Sequence, residues 1–272
     1  LPRAILERLI ATPAPPADAR LAYGPDPLNF GDLRLPKGEG PHPIVVVVHG
    51  GRWLAQYNLE FMGHQAAALT ARGVATWNVE FRRVGNSGGG WPGTFHDVAA
   101  ALDYLREIAP RYRLDLGRLV VTGHSSGGHL ALWLAGRRRI SAGDPLYSPS
   151  PLPVQAVVSV AGVGDLEHPH LHRDAESWAA TFLGATPSGD PARYATGSPA
   201  NLLPLGVRQV IVHGTADPIA PYALGADYHA RAVAAGDDAV LVPIPDAAHF
   251  AVIDPASEAG QVVIETILAE TR

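Results

Sequence analysis

Leu119-Val-Val-Thr122-Gly123-His124-Ser125-Ser126-Gly127-Gly128-His129-Leu130-Ala-Leu-Trp-Leu-Ala135 runs from an apolar segment through a glycine turn into a second apolar segment. The first segment has strand character and the second is made of strong helix formers. Ser125 stands where one becomes the other, with Gly123 and Gly127 two positions away on either side. A serine so placed sits on a strained strand-to-helix turn, where any Cβ at the flanking positions would collide with backbone. The alternatives are a glycine turn that merely packs a strand on a helix, or a phosphate loop. No Lys follows the glycines, which argues against the phosphate loop.

Working outward, Ile44-Val-Val-Val-Val48 is a β-branched run without polar alternation, the mark of a strand buried on both faces. Strand and helix then alternate. Glu60–Arg72 reads as helix, Val74–Val79 as strand, Thr94–Ile108 as helix, Leu119–Thr122 as strand and Ser126–Gly136 as helix. Val154–Val160, Gln209–Val212 and Ala239–Val242 supply further strands, with helices at Tyr222–Ala235 and Ala256–Ala269. Upstream, residues 1–11 can form a short helix that Pro13, Pro15 and Pro16 stop. Leu21–Leu35 then reads as an antiparallel edge hairpin, and Pro36–Pro43 as a turn. The expected fold is therefore α/β: a mostly parallel sheet of about eight strands with helices on both faces. Residues 162–204, rich in His, Pro and Gly and holding the amphipathic piece Ala175–Leu183, break the alternation and read as a short cap-like insertion over one end of the sheet. Residues 1–42 form the N-terminal helix, connector and hairpin, and the whole of 1–272 reads as a single domain.

Composition narrows the function. The 272 residues are 47% hydrophobic and 17% charged, and Lys+Arg 21 against Asp+Glu 26 gives a net charge of −5. No basic field exists to hold nucleic acid or an anionic membrane surface. The absence of cysteine rules out disulfides, a thiol nucleophile, thiolate zinc sites and Fe–S clusters. No apolar run approaches the roughly 20 residues that span a bilayer. The expected compartment is the cytoplasm; a removed export signal is the alternative, since the chain begins at Leu1 rather than Met. The sequence leaves the oligomeric state open, and the expected partner is a small-molecule ester or amide, with no metal or organic cofactor.

A serine nucleophile needs three kinds of help. Stabilising the oxyanion requires backbone N–H groups aimed at the developing charge. Gly50 and Gly51, directly after the buried valine strand, let bare backbone approach, and the Ser126 N–H at the start of the following helix is their natural partner. The general base must be an imidazole. Of twelve histidines, His249 follows the last strand, where a sheet of this kind presents its last loop beside Ser125. His124 and His129 flank the serine and read as packing or pocket residues. His168, His170 and His172 alternate in the insertion and read as a polar loop rather than a metal site, because no acidic or His partner on a regular element accompanies them. The orienting carboxylate is Asp217, in the loop after the penultimate strand, which gives the chain order Ser, Asp, His. Asp246 and Asp254 are the local rivals, and an Asp-Pro pair can also simply start a turn.

These residues resemble an α/β-hydrolase of the serine esterase superfamily, in the branch of arylformamidases and related bacterial carboxylesterases. The resemblance covers roughly Pro43 to Leu268. It rests on His49-Gly50-Gly51 with Trp53, Asn78-Val-Glu-Phe-Arg-Arg83, Gly123-His-Ser-Ser-Gly-Gly-His129, Ser198-Pro-Ala-Asn-Leu-Leu-Pro204 and His213-Gly-Thr-Ala-Asp217. It implies Ser125, Asp217 and His249 as triad, with Gly50, Gly51 and Ser126 as oxyanion donors. Arg52 stands where arylformamidases often carry an aromatic residue. The expected activity is hydrolysis of carboxylic esters of small or medium acyl groups through an acyl-enzyme, with Arg52, Trp53 and His124 expected to meet the substrate. Hydrolysis of an aryl formamide such as N-formylkynurenine is the alternative. A serine peptidase would carry an extra screening domain, and a catalytically silent binding module would have lost a triad residue.

Overall fold

The computed structural model describes residues 2–172 and 177–272. Its strands are β1 (Ala19–Ala22), β2 (Phe30–Arg34), β3 (His42–Val48), β4 (Ala75–Val79), β5 (Leu114–His124), β6 (Ala156–Val160), β7 (Arg208–Gly214) and β8 (Ala239–Ile244). They form one sheet in the order β1-β2-β4-β3-β5-β6-β7-β8. The edge hairpin pairs antiparallel with Ala19 opposite Leu33, and β2 pairs antiparallel with β4. From β4 to β8 every pairing is parallel.

The helices are α1 (Pro2–Ala11), α2 (Gly63–Ala71), α3 (Gly93–Asp103), α4 (Leu105–Tyr112), α5 (Ser126–Gly136), α6 (Trp178–Leu183), α7 (Pro191–Gly197), α8 (Tyr222–Ala234) and α9 (Glu258–Ala269). Two-sided burial explains the uninterrupted valines of β3. Ile44, Val46 and Val48 face one core with Val98 and Leu102 of α3, Leu130 of α5 and Leu224 of α8. Val45 and Val47 face the other with Leu6 and Leu9 of α1, Leu69 of α2 and Ile264 and Ile267 of α9. Each such side chain withdrawn from water contributes about 1.5–3 kcal/mol.

The structure departs from the sequence pattern where backbone bonding overrides periodicity. The helix expected over 60–72 starts as a 3-10 turn, Leu59–Met62, capped by Asn58, and becomes α-helical at Gly63. The helix expected over 94–108 is two helices, α3 and α4, parted at Tyr104. There the Glu107 N–H reaches back only three residues, to the Tyr104 carbonyl. Pro110 inside α4 then leaves the Arg106 carbonyl without its usual donor. Strand β5 starts five residues earlier than expected, because the polar stretch 114–118 pairs with the start of β3 across an irregularity at Pro43/Ile44. Ser257 Oγ accepts from the Gly260 N–H (2.9 Å), so α9 begins at Glu258 rather than Ala256.

Within 162–204 two short helices replace the single piece expected over 175–183, whose first two residues, Ala175 and Glu176, lie outside the described residues. Ser177 caps α6, and Asp190 with Pro191 opens α7. The segment is tied to the sheet's helices by Trp133 Nε1–H on the Thr196 carbonyl (2.9 Å) and His129 Nε2–H on the Gly197 carbonyl (2.8 Å). Among the described residues, no helix is long and apolar enough to cross a membrane.

Candidate active site

Ser125 occupies the turn between β5 and α5 at φ 56°, ψ −121°, a region that side chains other than hydrogen rarely adopt. Its N–H donates to the Val160 carbonyl at the end of β6 (2.9 Å), and its carbonyl accepts from Gly128 N–H (2.9 Å). The turn is thus pinned from both sides. A Cβ at Gly123 would run into the Gly127 carbonyl, and one at Gly127 into the carbonyls of Val48 and His49. The backbone collision expected at these two glycines is thus with carbonyl oxygens of the turn itself and of the end of β3.

The loop after β3 lies directly against this turn. A Cβ on Gly50 would sit 2.6 Å from the His124 carbonyl and 3.1 Å from Ser125 Cβ. Gly51 (φ 114°), Arg52 (φ 56°) and Trp53 (φ 58°) all have positive φ, an expensive run for two non-glycine residues. Two hydrogen bonds of Trp53 hold it: its backbone N–H donates to Ser126 Oγ (3.3 Å) and its indole N–H to His129 Nδ1 (3.2 Å). The Trp53 ring also stacks on Phe182 (4.7 Å) and is 2% exposed. Trp53 therefore acts as an anchor for the loop and a wall of a narrow crevice beside Ser125. Ser126, as the first residue of α5, has an N–H without an intrahelical acceptor.

The far side of the site is built by the loops after β7 and β8. Asp217 divides its two oxygens. Oδ1 accepts from the N–H groups of Ile219 (2.8 Å) and Ala220 (2.9 Å), closing the Asp-Pro turn, while Oδ2 meets His249 Nδ1 at 2.6 Å. Turn starter and histidine partner are both true of this residue. Burial pushes its carboxyl up, but His249 and the two backbone donors outweigh that and hold the pKa below the ordinary carboxylate value. Of the rivals, Asp254 is held through its carboxylate by Arg8, and Asp246 donates its backbone N–H to Thr215 Oγ1 (2.9 Å). Ser125, His124 and His249 line one cavity of about 460 Å³ together with Gly51, Arg52 and Tyr57.

His124 is 1% exposed and its ring lies 4.5 Å from that of His249. Its Nε2–H donates to the His249 carbonyl (2.8 Å), so it grips the backbone of the neighbouring histidine as well as lining the cavity. Burial, followed by the nearby His249, lowers its pKa to about 3, keeping the ring neutral. Burial likewise lowers that of His129 to about 4, in a tautomer fixed by its indole donor and carbonyl acceptor. In the insertion, His168 meets Asp227 (3.1 Å) and stacks on His170, while His172 Nε2–H donates to the Leu166 carbonyl (2.8 Å). No cluster of three or more metal-ligating side chains occurs among the described residues.

Sequence reasoning missed a clamp behind the Gly50–Gly51 loop. His49 faces the Gly50 carbonyl through Nδ1 (2.8 Å) and Glu80 through Nε2 (3.1 Å), and stacks on Phe81. Glu80 also pairs with Arg83 (2.8 Å) and accepts from the Phe81 and Leu59 N–H groups. Burial pushes the Glu80 carboxyl up, and His49 and Arg83 more than reverse it. The available signal was a Glu one residue past a fully buried strand, a place where an unpaired charge is not tolerated. Also unforeseen, Arg3 and Leu6 of α1 reach the cavity.

A family model described as BD-FAE matches residues 32–231, about three quarters of the chain. The chain belongs to the BD-FAE family. Among curated relatives of this family member, Esterase LipQ of Mycobacterium tuberculosis is 27% identical over 219 residues, covering 76% of this chain and 50% of that protein. The probable isoprenylcysteine alpha-carbonyl methylesterase ICMEL1 of Arabidopsis thaliana is 29% identical over 114 residues, covering 41% and 23%. The chain thus spans about a quarter to a half of the length of these two relatives. Among solved structures, Esterase B from Lactobacillus rhamnosis superposes with a TM-score of 0.80 at 22% identity, covering 99% of this chain and 91% of that one. A truncated carbohydrate esterase from gut microbiota gives 0.80 at 23% identity, covering 94% and 99%. At such identities the likeness establishes the fold: an α/β-hydrolase with an eight-stranded, mostly parallel sheet.

Proposed function

We propose that the protein is a serine carboxylesterase that cleaves esters of small or medium acyl groups through Ser125, His249 and Asp217. The observation that carries this reading is Ser125 on its strained turn, sharing a cavity with a histidine whose other ring nitrogen is 2.6 Å from a buried carboxylate. Ser125 Oγ attacks the ester carbonyl carbon while His249 Nε2 takes its proton. The carbonyl oxygen becomes an oxyanion facing the N–H of Ser126 and those of the Gly50–Gly51 loop. Collapse expels the alcohol, protonated by His249, and leaves the acyl-enzyme, which water hydrolyses by the same route. Asp217 holds the imidazole by Nδ1–H and balances the charge of the imidazolium. Residues 162–204 serve as a short cap, and a cavity of about 460 Å³ suits modest acyl groups better than long chains.

The test is turnover of 4-nitrophenyl acetate and butyrate beside N-formylkynurenine, with wild type and Ser125→Ala at equal concentration. Brisk ester cleavage that vanishes in Ser125→Ala, with negligible deformylation, is the expected result. Efficient serine-dependent deformylation with weak ester cleavage would replace the reading by an arylformamidase. Ester turnover undiminished in Ser125→Ala would overturn the mechanism.

A further inference from the structure

We infer that the substrate carries an anionic group, a carboxylate in the simplest case, close to the scissile ester, and that Arg52 and Arg3 recognise it. The inference deepens the esterase reading and rests on Ser125 being the nucleophile. The protein as a whole is acidic, with 26 carboxylate side chains against 21 Lys and Arg, yet the cavity containing Ser125 has two guanidinium groups in its wall and no carboxylate side chain. Asp217 lies behind that wall, 7% exposed and engaged with His249. Many arginines elsewhere are paired, among them Arg20 with Asp32, Arg82 with Asp97, Arg83 with Glu80 and Arg137 with Asp103. Among the described residues neither Arg3 nor Arg52 has such a partner.

Arg52 is also held in place. Its backbone is fixed at φ 56° between Gly51 and the doubly anchored Trp53, and its guanidinium carbon lies 3.7 Å from the centre of the Trp178 ring. A guanidinium stacked by its face keeps its N–H donors in its own plane, where a carboxylate can take two of them. Arg52 follows Gly51 directly, so the anion it would bind sits within one side chain's reach of the oxyanion donors. Arg3 approaches the same cavity from α1, whose Leu6 and Leu9 are buried in the core and whose Arg8 is paired with Asp254. The two charges come from separate elements, α1 and the loop after β3, and converge on one space.

Two matched substrate pairs locate the charge. 4-Nitrophenyl hemisuccinate against 4-nitrophenyl butyrate places a carboxylate on the acyl side, and 4-acetoxybenzoate against phenyl acetate places it on the alcohol side, with rates taken above a Ser125→Ala blank. The wild type is expected to favour the anionic member of at least one pair in kcat/KM. That ratio should fall on the order of fivefold in Arg52→Gln and again in Arg3→Gln, and should shrink as ionic strength rises. Arg3 is exposed on α1, so its substitution gives a reading even if Arg52→Gln disturbs the loop. Serine-dependent cleavage with no preference for either anion, or a preference unmoved by both substitutions, overturns the inference and leaves the esterase reading standing. Failure of all four substrates together with no fluorophosphonate labelling of Ser125 removes both.

Discussion

The middle of the sheet and its carboxyl edge are built from opposite materials. In the middle, Ile44–Val48 of β3 and Leu119–Val121 of β5 pair in regular register and carry apolar side chains shared between two cores. At the edge, Arg52 and Trp53 after β3, Ser125 after β5, Ala161 after β6 and Asp246 after β8 all have positive φ without being glycine. Neighbouring strand ends hold this strained rim together: Ser125 N–H on the Val160 carbonyl, Ala161 N–H on Val212 (2.8 Å) and Thr215 N–H on Ile244 (2.9 Å). Stability is made redundantly in the interior and spent at the rim, where side chains must point at one another across separate loops.

If that division is right, substitutions at the rim should remove activity while leaving the fold, and substitutions in the middle should do the reverse. The largest effect is expected for Ser125→Ala, a loss of kcat/KM on the order of a millionfold with little change in thermal unfolding. Asp217→Asn keeps the turn to Ile219 and Ala220 but gives His249 the wrong partner, and kcat should drop on the order of ten-thousandfold. Gly50→Ala pushes a methyl group against the His124 carbonyl and displaces the Gly50–Gly51 loop; if that loop supplies the proposed oxyanion donors, kcat should fall roughly a hundredfold, with KM changing less. In the middle, Val46→Ala should lower unfolding free energy by about 2 kcal/mol in a denaturant titration while kcat stays within about twofold. A Val46→Ala enzyme as inactive as Gly50→Ala would break the comparison.

The smallest effect is a pH dependence. His124 and His129 have folded pKa values of about 3 and about 4, below the ordinary histidine value, because both are buried neutral. Between pH 6.5 and those values the unfolded chain binds protons the folded chain refuses, so stability falls with falling pH. From pH 7 to 6 the two together should remove on the order of 1 kcal/mol, measurable as a lower unfolding midpoint. His129→Gln, which can still accept from Trp53 and donate to Gly197, should reduce that slope. A slope unchanged in His129→Gln would refute its assignment to this residue.

Much of this was legible in the sequence because it is local. The valine run of β3, the glycine-serine turn and the order Ser125, Asp217, His249 depend on short spacings and strand ends. What stayed hidden depends on bonds or distance. Tyr104 divides a continuous helical pattern through a bonding change that periodicity does not record, and residues 114–118 look too polar for a strand until their pairing with β3 is seen. His49 and the Glu80–Arg83 pair stand in two separate motifs about thirty residues apart, and only the fold brings them together as a clamp. Arg3 and Leu6 enter the cavity from a helix that a linear reading leaves as an appendage.

The central claim is that Ser125 is activated by His249 and Asp217. Its most direct test is reaction of the native protein with a fluorophosphonate, followed by mass mapping of the adduct in wild type, His249→Ala and Asp217→Asn. A single adduct on Ser125, formed rapidly in the wild type and slowed severely in both variants, is the predicted result. An adduct elsewhere, or equal labelling of Ser125 in all three proteins, would contradict the account.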